Sequence, residues 1–166
     1  MVVKKLLDEF SEDVIRAFVQ KNSDYYLVKW KLMANSGSKI SWNWASFLFG
    51  IFWMVYRKMF LYFIIVLVIS YIVGYITSSI SSIINLIFML AICLAFGLLG
   101  NYGYAYFVYN KLQELKLIAK SEEELRMLAL QKGGVSVVAV IISIAIIFLL
   151  ELIVIGLAVS SSSYYY

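Results

Sequence analysis

The sequence contains no histidine and no proline, and Cys93 is the only cysteine among its 166 residues. A disulfide within the chain is therefore excluded. Zinc sites built from cysteine and histidine are excluded too, and so is a serine or cysteine nucleophile with a histidine base. A single thiol inside an apolar run packs as a small hydrophobic side chain. No residue pattern identifies a catalytic group, a metal site or a cofactor site.

Charged residues are also scarce. They make up 14% of the chain, against about 25% in soluble globular proteins. Hydrophobic residues make up 63% and aromatic residues 17%, and the apolar residues are gathered into long blocks. So few charges cannot cover a surface that faces water, which predicts an integral membrane protein with the lipid bilayer as its main partner.

Three apolar blocks are long enough to cross a membrane. They cover residues 59–76, 80–99 and 135–159. At about 1.5 Å per residue these blocks extend roughly 27, 30 and 37 Å, against a hydrocarbon core of about 30 Å. The second helix is predicted to continue into the cytoplasm as far as residue 109. Glu151 is the only charge in the three blocks, and the aliphatic residues around it outweigh its insertion cost of about 3 kcal/mol.

The first forty residues are predicted to be a small cytoplasmic helical hairpin. One helix is expected over residues 12–20 and a second over residues 24–33, because apolar side chains recur at spacings of three and four and suitable N-cap residues precede both segments. The second segment places Tyr26, Trp30 and Met33 on one face.

The segment between the second and third spans, residues 110–132, is predicted to be a polar loop with a short helix. Ser121 and Glu124 fit a capping box, which marks the start of this helix. The chain ends in a serine and tyrosine tail over residues 160–166.

The distribution of lysine and arginine predicts the orientation. Seven of the fourteen cations lie before residue 40 and five lie in residues 110–132, whereas the link Thr77–Ser79 has none. Cations accumulate on the cytoplasmic side of a membrane. The N-terminus and the long loop are therefore expected inside, and the C-terminus outside.

The segment 41–58 is rich in tryptophan and ends in two cations. It is short for a span, so we interpret it as an amphipathic helix that lies on the membrane surface or re-enters it. A fourth span is the alternative. The expected membrane-interface anchors, with rings at headgroup depth and cations against anionic lipid, are Trp42, Trp44, Trp53, Arg57, Lys58 and Tyr102.

A candidate polar site lies inside the membrane. A lone carboxylate in hydrocarbon is costly, so Glu151 is expected to face other helices or a wet interior. Ser143 falls near the same helix face, and Asn85 lies at a comparable depth in the second span. The site has three interpretations, namely a polar contact that fixes helix packing, a proton or cation site, and a contact with a second protein.

Small residues predict close helix approach. Cys93 and Gly97 are four residues apart, and Gly100 and Gly103 continue the pattern. Such spacing lets helix backbones pack closely, with a partner either in the same chain or in another one.

The motif NWASFLFGIFWMVYRKM, residues 43–59, resembles the signature of a bacterial membrane family, domain of unknown function 2628. DYYLVKW at residues 24–30 and GNYGY at residues 100–104 resemble its flanking patterns, so the likeness spans about residues 18–134. Members often have proline where Ile51 stands, and a histidine after the tyrosines that this chain lacks. The resemblance implies a small integral protein of the bacterial cytoplasmic membrane and no established reaction.

These observations favour a non-enzymatic scaffold or regulatory component that binds a membrane-protein partner or a second copy of itself. The alternative is an oligomeric transport or channel subunit in which Glu151 and Asn85 line a wet path. A membrane-embedded enzyme is the third hypothesis. Nucleic-acid binding is not expected, because the first forty residues carry only two more cations than acids.

Overall fold

The computed structural model describes residues 1–78 and 80–163, and the side chains of residues 1–77 and 80–156. The regular secondary structure of this part of the chain is helical. Its elements are α1 (Val2–Glu9), α2 (Glu12–Val19), α3 (Ser23–Ser36), α4 (Trp44–Tyr56), α5 (Phe60–Ser78), α6 (Ser82–Lys116), α7 (Glu122–Lys132) and α8 (Val137–Ser163).

Three helices, α5, α6 and α8, are long and apolar enough to cross a membrane. The tryptophan-rich helix α4 is apolar but has only 13 residues. The all-α fold class with three candidate spans and a shorter apolar helix is therefore confirmed. The tyrosines at 164–166 and Ser79 of the predicted outer link lie outside the described residues.

Helix α6 is much longer than a membrane span. Its 35 residues extend about 52 Å at the usual rise, whereas the hydrocarbon core is about 30 Å thick. The helix continues to Lys116, seven residues beyond residue 109, where the second helix with its cytoplasmic extension was predicted to end. Its last turns carry the buried side chains Tyr104, Val108 and Leu112, which recur every four residues and form one apolar face.

The N-terminal region has three helices, so the predicted two-helix hairpin is incomplete. The missing helix is α1, whose Val3 and Leu6 are fully buried together with Phe10. These apolar residues are three and four positions apart in the sequence. The charged residues between them suggested a segment that faces water. The helix instead packs on α6 and α3.

Helices α1, α2, α3 and α7 form one helical domain with the end of α6, and we call it the polar domain. Its core is continuous from Val3 to Ala129 and includes Trp30 and Tyr104, both fully buried. Helix α2 packs extensively against α7, although more than 100 residues separate them along the chain. The two polar segments of the sequence therefore fold together on one side of the spans.

Helix α4 is broken at Gly50, where φ is 49° and ψ is −121°. Side chains other than glycine rarely adopt this backbone conformation. Before the break, Trp44 and Leu48 are about two-thirds exposed, whereas after it Trp53 and Val55 are buried. The break divides α4 into a half that presents apolar side chains outward and a half that belongs to the protein core.

Helix α4 lies against α6 at the small residues of α6. The ring of Trp42 covers Gly97, and Ser46 lies so close to Gly100 that a Cβ atom there would stand 2.5 Å from the Ser46 oxygen. The extended segment before α4 also donates backbone hydrogen bonds to α6, from Ser41 N to Leu98 O and from Asn43 N to Gly97 O. The predicted close approach at these glycines takes place within the chain.

Helix α8 packs mainly on α4, whereas α5 packs on both α4 and α6. Most of the described side chains of α5 and α8, at residues 60–77 and 137–156, are exposed, as expected of helices whose solvent is hydrocarbon. The three long helices therefore do not form a closed bundle within the described part of one chain.

Candidate functional site

Asn101 on α6 is the centre of a buried polar network. Its Oδ1 accepts a hydrogen bond from Asn43 Nδ2 at 2.9 Å, and its Nδ2 lies near the Ser41 Oγ and the Trp42 carbonyl oxygen at 3.1 and 3.2 Å. Its own carbonyl oxygen accepts from Trp30 Nε1 at 2.9 Å. Buried amides need such partners, so this network fixes both α3 and the start of α4 on α6.

Tyr25 joins the network from α3. Its hydroxyl donates to the Trp42 carbonyl oxygen at 3.1 Å and accepts from Asn101 Nδ2 at 3.3 Å. Partial burial raises the pKa of Tyr25, and the hydrogen bond from Asn101 opposes this effect only in part. The hydroxyl therefore keeps its proton at neutral pH and both donates and accepts.

Arg57 follows α4 and is buried among aromatic rings, with only 2% of its surface exposed. Its guanidinium carbon lies 4.5 Å from the ring centre of Tyr26 and 5.0 Å from that of Tyr104. Its Nη1 donates to the carbonyl oxygens of Val19 at 3.3 Å and Lys21 at 3.0 Å. The aromatic faces and the two carbonyls stabilise the cation in place of water.

Arg57 has no acidic partner among the described residues, and its buried Nε makes no hydrogen bond. A buried charge normally has a counter-ion, since its desolvation is costly. Among the described residues, the charge of Arg57 is thus balanced by carbonyl dipoles and aromatic rings, without a counter-ion.

Three loops meet around Arg57, and we call residues 19–22, 56–59 and 133–136 the loop junction. Gly134 N donates to Phe18 O at 2.7 Å, and Ser136 N donates to Tyr56 O at 2.9 Å. The Lys58 ammonium donates to the Gly133 carbonyl oxygen. These bonds tie the starts of α3, α5 and α8 together.

The backbone of the loop junction is strained. Gln20, Asn22 and Lys58 have positive φ angles of 55°, 63° and 59°, which is uncommon for residues with a side chain. Each such conformation costs of order 1–3 kcal/mol and persists only where surrounding contacts enforce it. Here those contacts include the hydrogen bonds of Arg57 and Lys58.

A cavity of about 460 Å³ borders the loop junction and lies between α3, α4 and α8. Its apolar wall comes mainly from Phe49, Phe52, Val137 and Val140. Its polar lining includes Lys21, Asn22 and Arg57. No acidic residue lines it, so the cavity combines an apolar interior with positive charge.

The predicted interface anchors divide into two groups. Trp44 is exposed, and Tyr102 is half-buried with the Lys39 ammonium 5.6 Å from its ring centre. Trp42 is also half-buried, with its ring 5.1 Å from that of Trp44. The Trp42 indole nitrogen is buried without a hydrogen-bond partner among the described residues, and the role of these three side chains at a membrane interface stays a prediction.

Trp53, Arg57 and Lys58 do not lie free at the surface, which corrects our expectation for them. Trp53 is 3% exposed and packs with its ring 6.0 Å from that of Tyr104. Arg57 is buried against tyrosine rings, and Lys58 is bonded to Gly133. The aromatic residues of α3 and α6 offer Arg57 a cation–π site that the local sequence does not reveal.

The predicted intramembrane residues are not brought together. Asn85 Oδ1 accepts from the Thr77 hydroxyl at 3.0 Å across the α5–α6 turn, and Ser143 donates to the Val140 carbonyl oxygen of its own helix at 2.8 Å. Glu151 is exposed on α8 and makes no hydrogen bond or ion pair with a described residue. Asn85 and Glu151, which the sequence places at comparable depths, are therefore not paired within the described part of the chain.

Sequence reasoning missed the roles of Asn101 and Arg57. Both residues stand in the motifs that carried the family resemblance, GNYGY and the end of NWASFLFGIFWMVYRKM. Asn101 stands inside an aromatic run, and Asn43 stands just before the tryptophan-rich helix. Two asparagines in such apolar surroundings indicate a buried polar pair. Within the described ranges, no three metal-ligating side chains converge.

Comparison with known proteins identifies one family. The model of the family described as "Protein of unknown function (DUF2628)" matches residues 16–111, which is more than half of the chain. Neither a curated protein nor a solved structure matches the chain. The matched range contains Asn43, Arg57 and Asn101, together with Tyr26 and Tyr104, whose rings face Arg57.

Proposed function

The chain belongs to the DUF2628 family of unknown function, and from this premise we propose that it is a non-enzymatic component of the bacterial cytoplasmic membrane. In this proposal the polar domain lies at the cytoplasmic surface and the C-terminus lies outside. The role of the protein is to bind another membrane protein and to hold the polar domain beside it.

The observation that best supports this proposal is the position of Glu151. Its side chain is exposed on α8, and no described residue pairs with it. A carboxylate near the middle of a membrane helix costs about 2.5–3.5 kcal/mol on insertion scales. Since α8 packs mainly on α4, its membrane part is available to a helix from another chain, and a polar group there would compensate the carboxylate.

The polar domain, which lies outside the membrane part of the chain, also supports the proposal. Two segments distant in sequence share one core that is fixed to α6 through Asn101 and to the spans through the loop junction. Because this attachment is rigid, the surface of the polar domain moves together with the spans.

We expect a tagged full-length protein to co-purify with one membrane protein in near-equal amount, from native membranes in mild detergent. The Glu151→Leu variant should retain that partner at least fivefold less well, because a polar contact of about 1–2 kcal/mol in a membrane corresponds to a five- to thirtyfold change in binding. Quantitative mass spectrometry of the purified material measures both values.

The matched control is Leu152→Ala, which changes an exposed apolar residue of the same helix and should leave co-purification unchanged. Co-expression of two differently tagged copies determines whether the partner is a second copy of this chain. Wild-type protein that purifies with no stoichiometric partner, its own copy included, would refute the proposal.

A further inference from the structure

We infer that the cavity beside the loop junction binds one anionic phospholipid. In this site Lys21 binds the phosphate, Arg57 contributes a second positive charge from the wall, and the acyl chain lies against Phe49, Phe52, Val137 and Val140. This inference does not depend on the proposed partner of α8.

The charge of the cavity favours an anion. Arg57 is 98% buried and has no acidic partner among the described residues, and Lys21 adds a second cation to the same lining. Lys21 itself is exposed and forms no ion pair within the described part of the chain. A phosphate would compensate both charges at once, and both arginine and lysine bind phosphate through charge-assisted hydrogen bonds.

The apolar wall requires more than a free phosphate. Phe49 and Val137 are each about 60% exposed where the cavity meets the outward-facing half of α4 and the start of α8. Lys21 and Asn22 come from the loop between α2 and α3, on the side of the polar domain. The lining therefore changes from polar to apolar between the polar domain and the spans, as a phospholipid does between headgroup and chain.

The lining also favours an anionic lipid over a zwitterionic one. The ammonium group of a zwitterionic headgroup would lie near two cations, which repel it. No aspartate or glutamate lines the cavity, whereas two cations do. Anionic lipids such as phosphatidylglycerol fit this charge pattern, and phosphatidylcholine does not.

Binding can be measured on the purified full-length protein in uncharged detergent, by native mass spectrometry and by the shift of the thermal unfolding midpoint. Phosphatidylglycerol should form a one-to-one complex and raise the midpoint. Phosphatidylcholine and inorganic phosphate should each have a much smaller effect. An equal shift from inorganic phosphate would refute the acyl-chain part of the inference, and an equal shift from phosphatidylcholine would refute the requirement for negative charge.

Two variants test the site itself. Lys21→Gln should weaken phosphatidylglycerol binding about fivefold, the usual effect of one basic residue on an anionic lipid. Val140→Phe should reduce binding by filling the apolar part of the cavity. Both positions are at least partly exposed, so both variants are expected to fold.

Each variant has a matched control. Lys120→Gln removes an exposed cation that does not line the cavity. Val138→Phe enlarges an exposed residue of α8 that does not line it either. Both controls should bind phosphatidylglycerol as wild type does. Equal losses in Lys21→Gln and Lys120→Gln would mean nonspecific attraction to charged lipid and would overturn the inference.

Discussion

Replacing Arg57 with alanine is expected to lower the free energy of unfolding by about 3–5 kcal/mol. The substitution removes the Arg57 donor from the buried carbonyl oxygen of Val19 and from the partly buried one of Lys21, and it opens a cavity between the rings of Tyr26 and Tyr104. For a chain of this size, the thermal unfolding midpoint should fall by roughly 10 °C. The measurement is a thermal unfolding curve of the full-length protein in mild detergent.

Arg126→Ala is the matched control for this prediction. Arg126 pairs with Glu123 on the exposed face of α7, and exposed ion pairs contribute little to stability. The control should unfold almost as wild type does. Equal midpoints for wild type and Arg57→Ala would contradict the structural role that we assign to the loop junction.

Arg57→Lys gives a second check on the chemistry of this position. Lysine keeps the charge but lacks the planar group that stacks on the tyrosine rings while donating to two carbonyls. We expect a midpoint between those of wild type and the alanine variant.

The Gly100→Ala substitution is expected to destabilise the protein by about 1–3 kcal/mol, the usual cost of overpacking. The new methyl group would stand 2.5 Å from the Ser46 oxygen and 2.6 Å from the Ser46 Cβ atom. Helix α4 would have to move away from α6, which would stretch the bond between Asn43 and Asn101. Thermal unfolding in detergent again measures the effect.

Gly103 provides a close comparison, because it lies three residues further along the same helix and nothing stands within 4 Å of a Cβ atom built there. Gly103→Ala should stabilise α6 by up to about 1 kcal/mol, since alanine is the better helix former. The two substitutions therefore have opposite expected signs. A similar effect of both on stability would show that α4 does not approach α6 at Gly100.

The three long apolar helices were predictable because crossing a bilayer requires only length and apolar composition. Local signals were equally reliable at the start of α7, where the Ser121 hydroxyl accepts from Glu124 N at 3.1 Å, as the capping box predicts. Both features depend on residues that are neighbours in the sequence.

The surroundings of Arg57 could not be predicted in the same way. Tyr26 and Tyr104, which stack on its guanidinium, are separated by 78 positions in the sequence, and nothing local indicates that they meet. A cation at the end of an apolar tryptophan-rich run suits anionic lipid equally well. Only the tertiary contacts distinguish a buried arginine from a surface anchor.

Helix α1 and the intramembrane site differed from expectation for related reasons. The apolar residues of α1 stand among four charged side chains, so the burial of Val3 and Leu6 depends on the presence of the extended end of α6. Asn85 and Glu151 were placed at similar depths, but depth does not determine lateral distance between helices. Asn85 instead pairs with Thr77, its near neighbour across a tight turn.

Both polar segments are expected to form one domain on a single face of the membrane. This arrangement can be tested in the Cys93→Ala background with single cysteines at positions 39, 80 and 120, all exposed, and a maleimide that does not cross membranes. In intact cells we predict labelling at position 80 only, with positions 39 and 120 labelled after permeabilisation. Labelling of positions 39 and 120 from opposite sides would contradict the account.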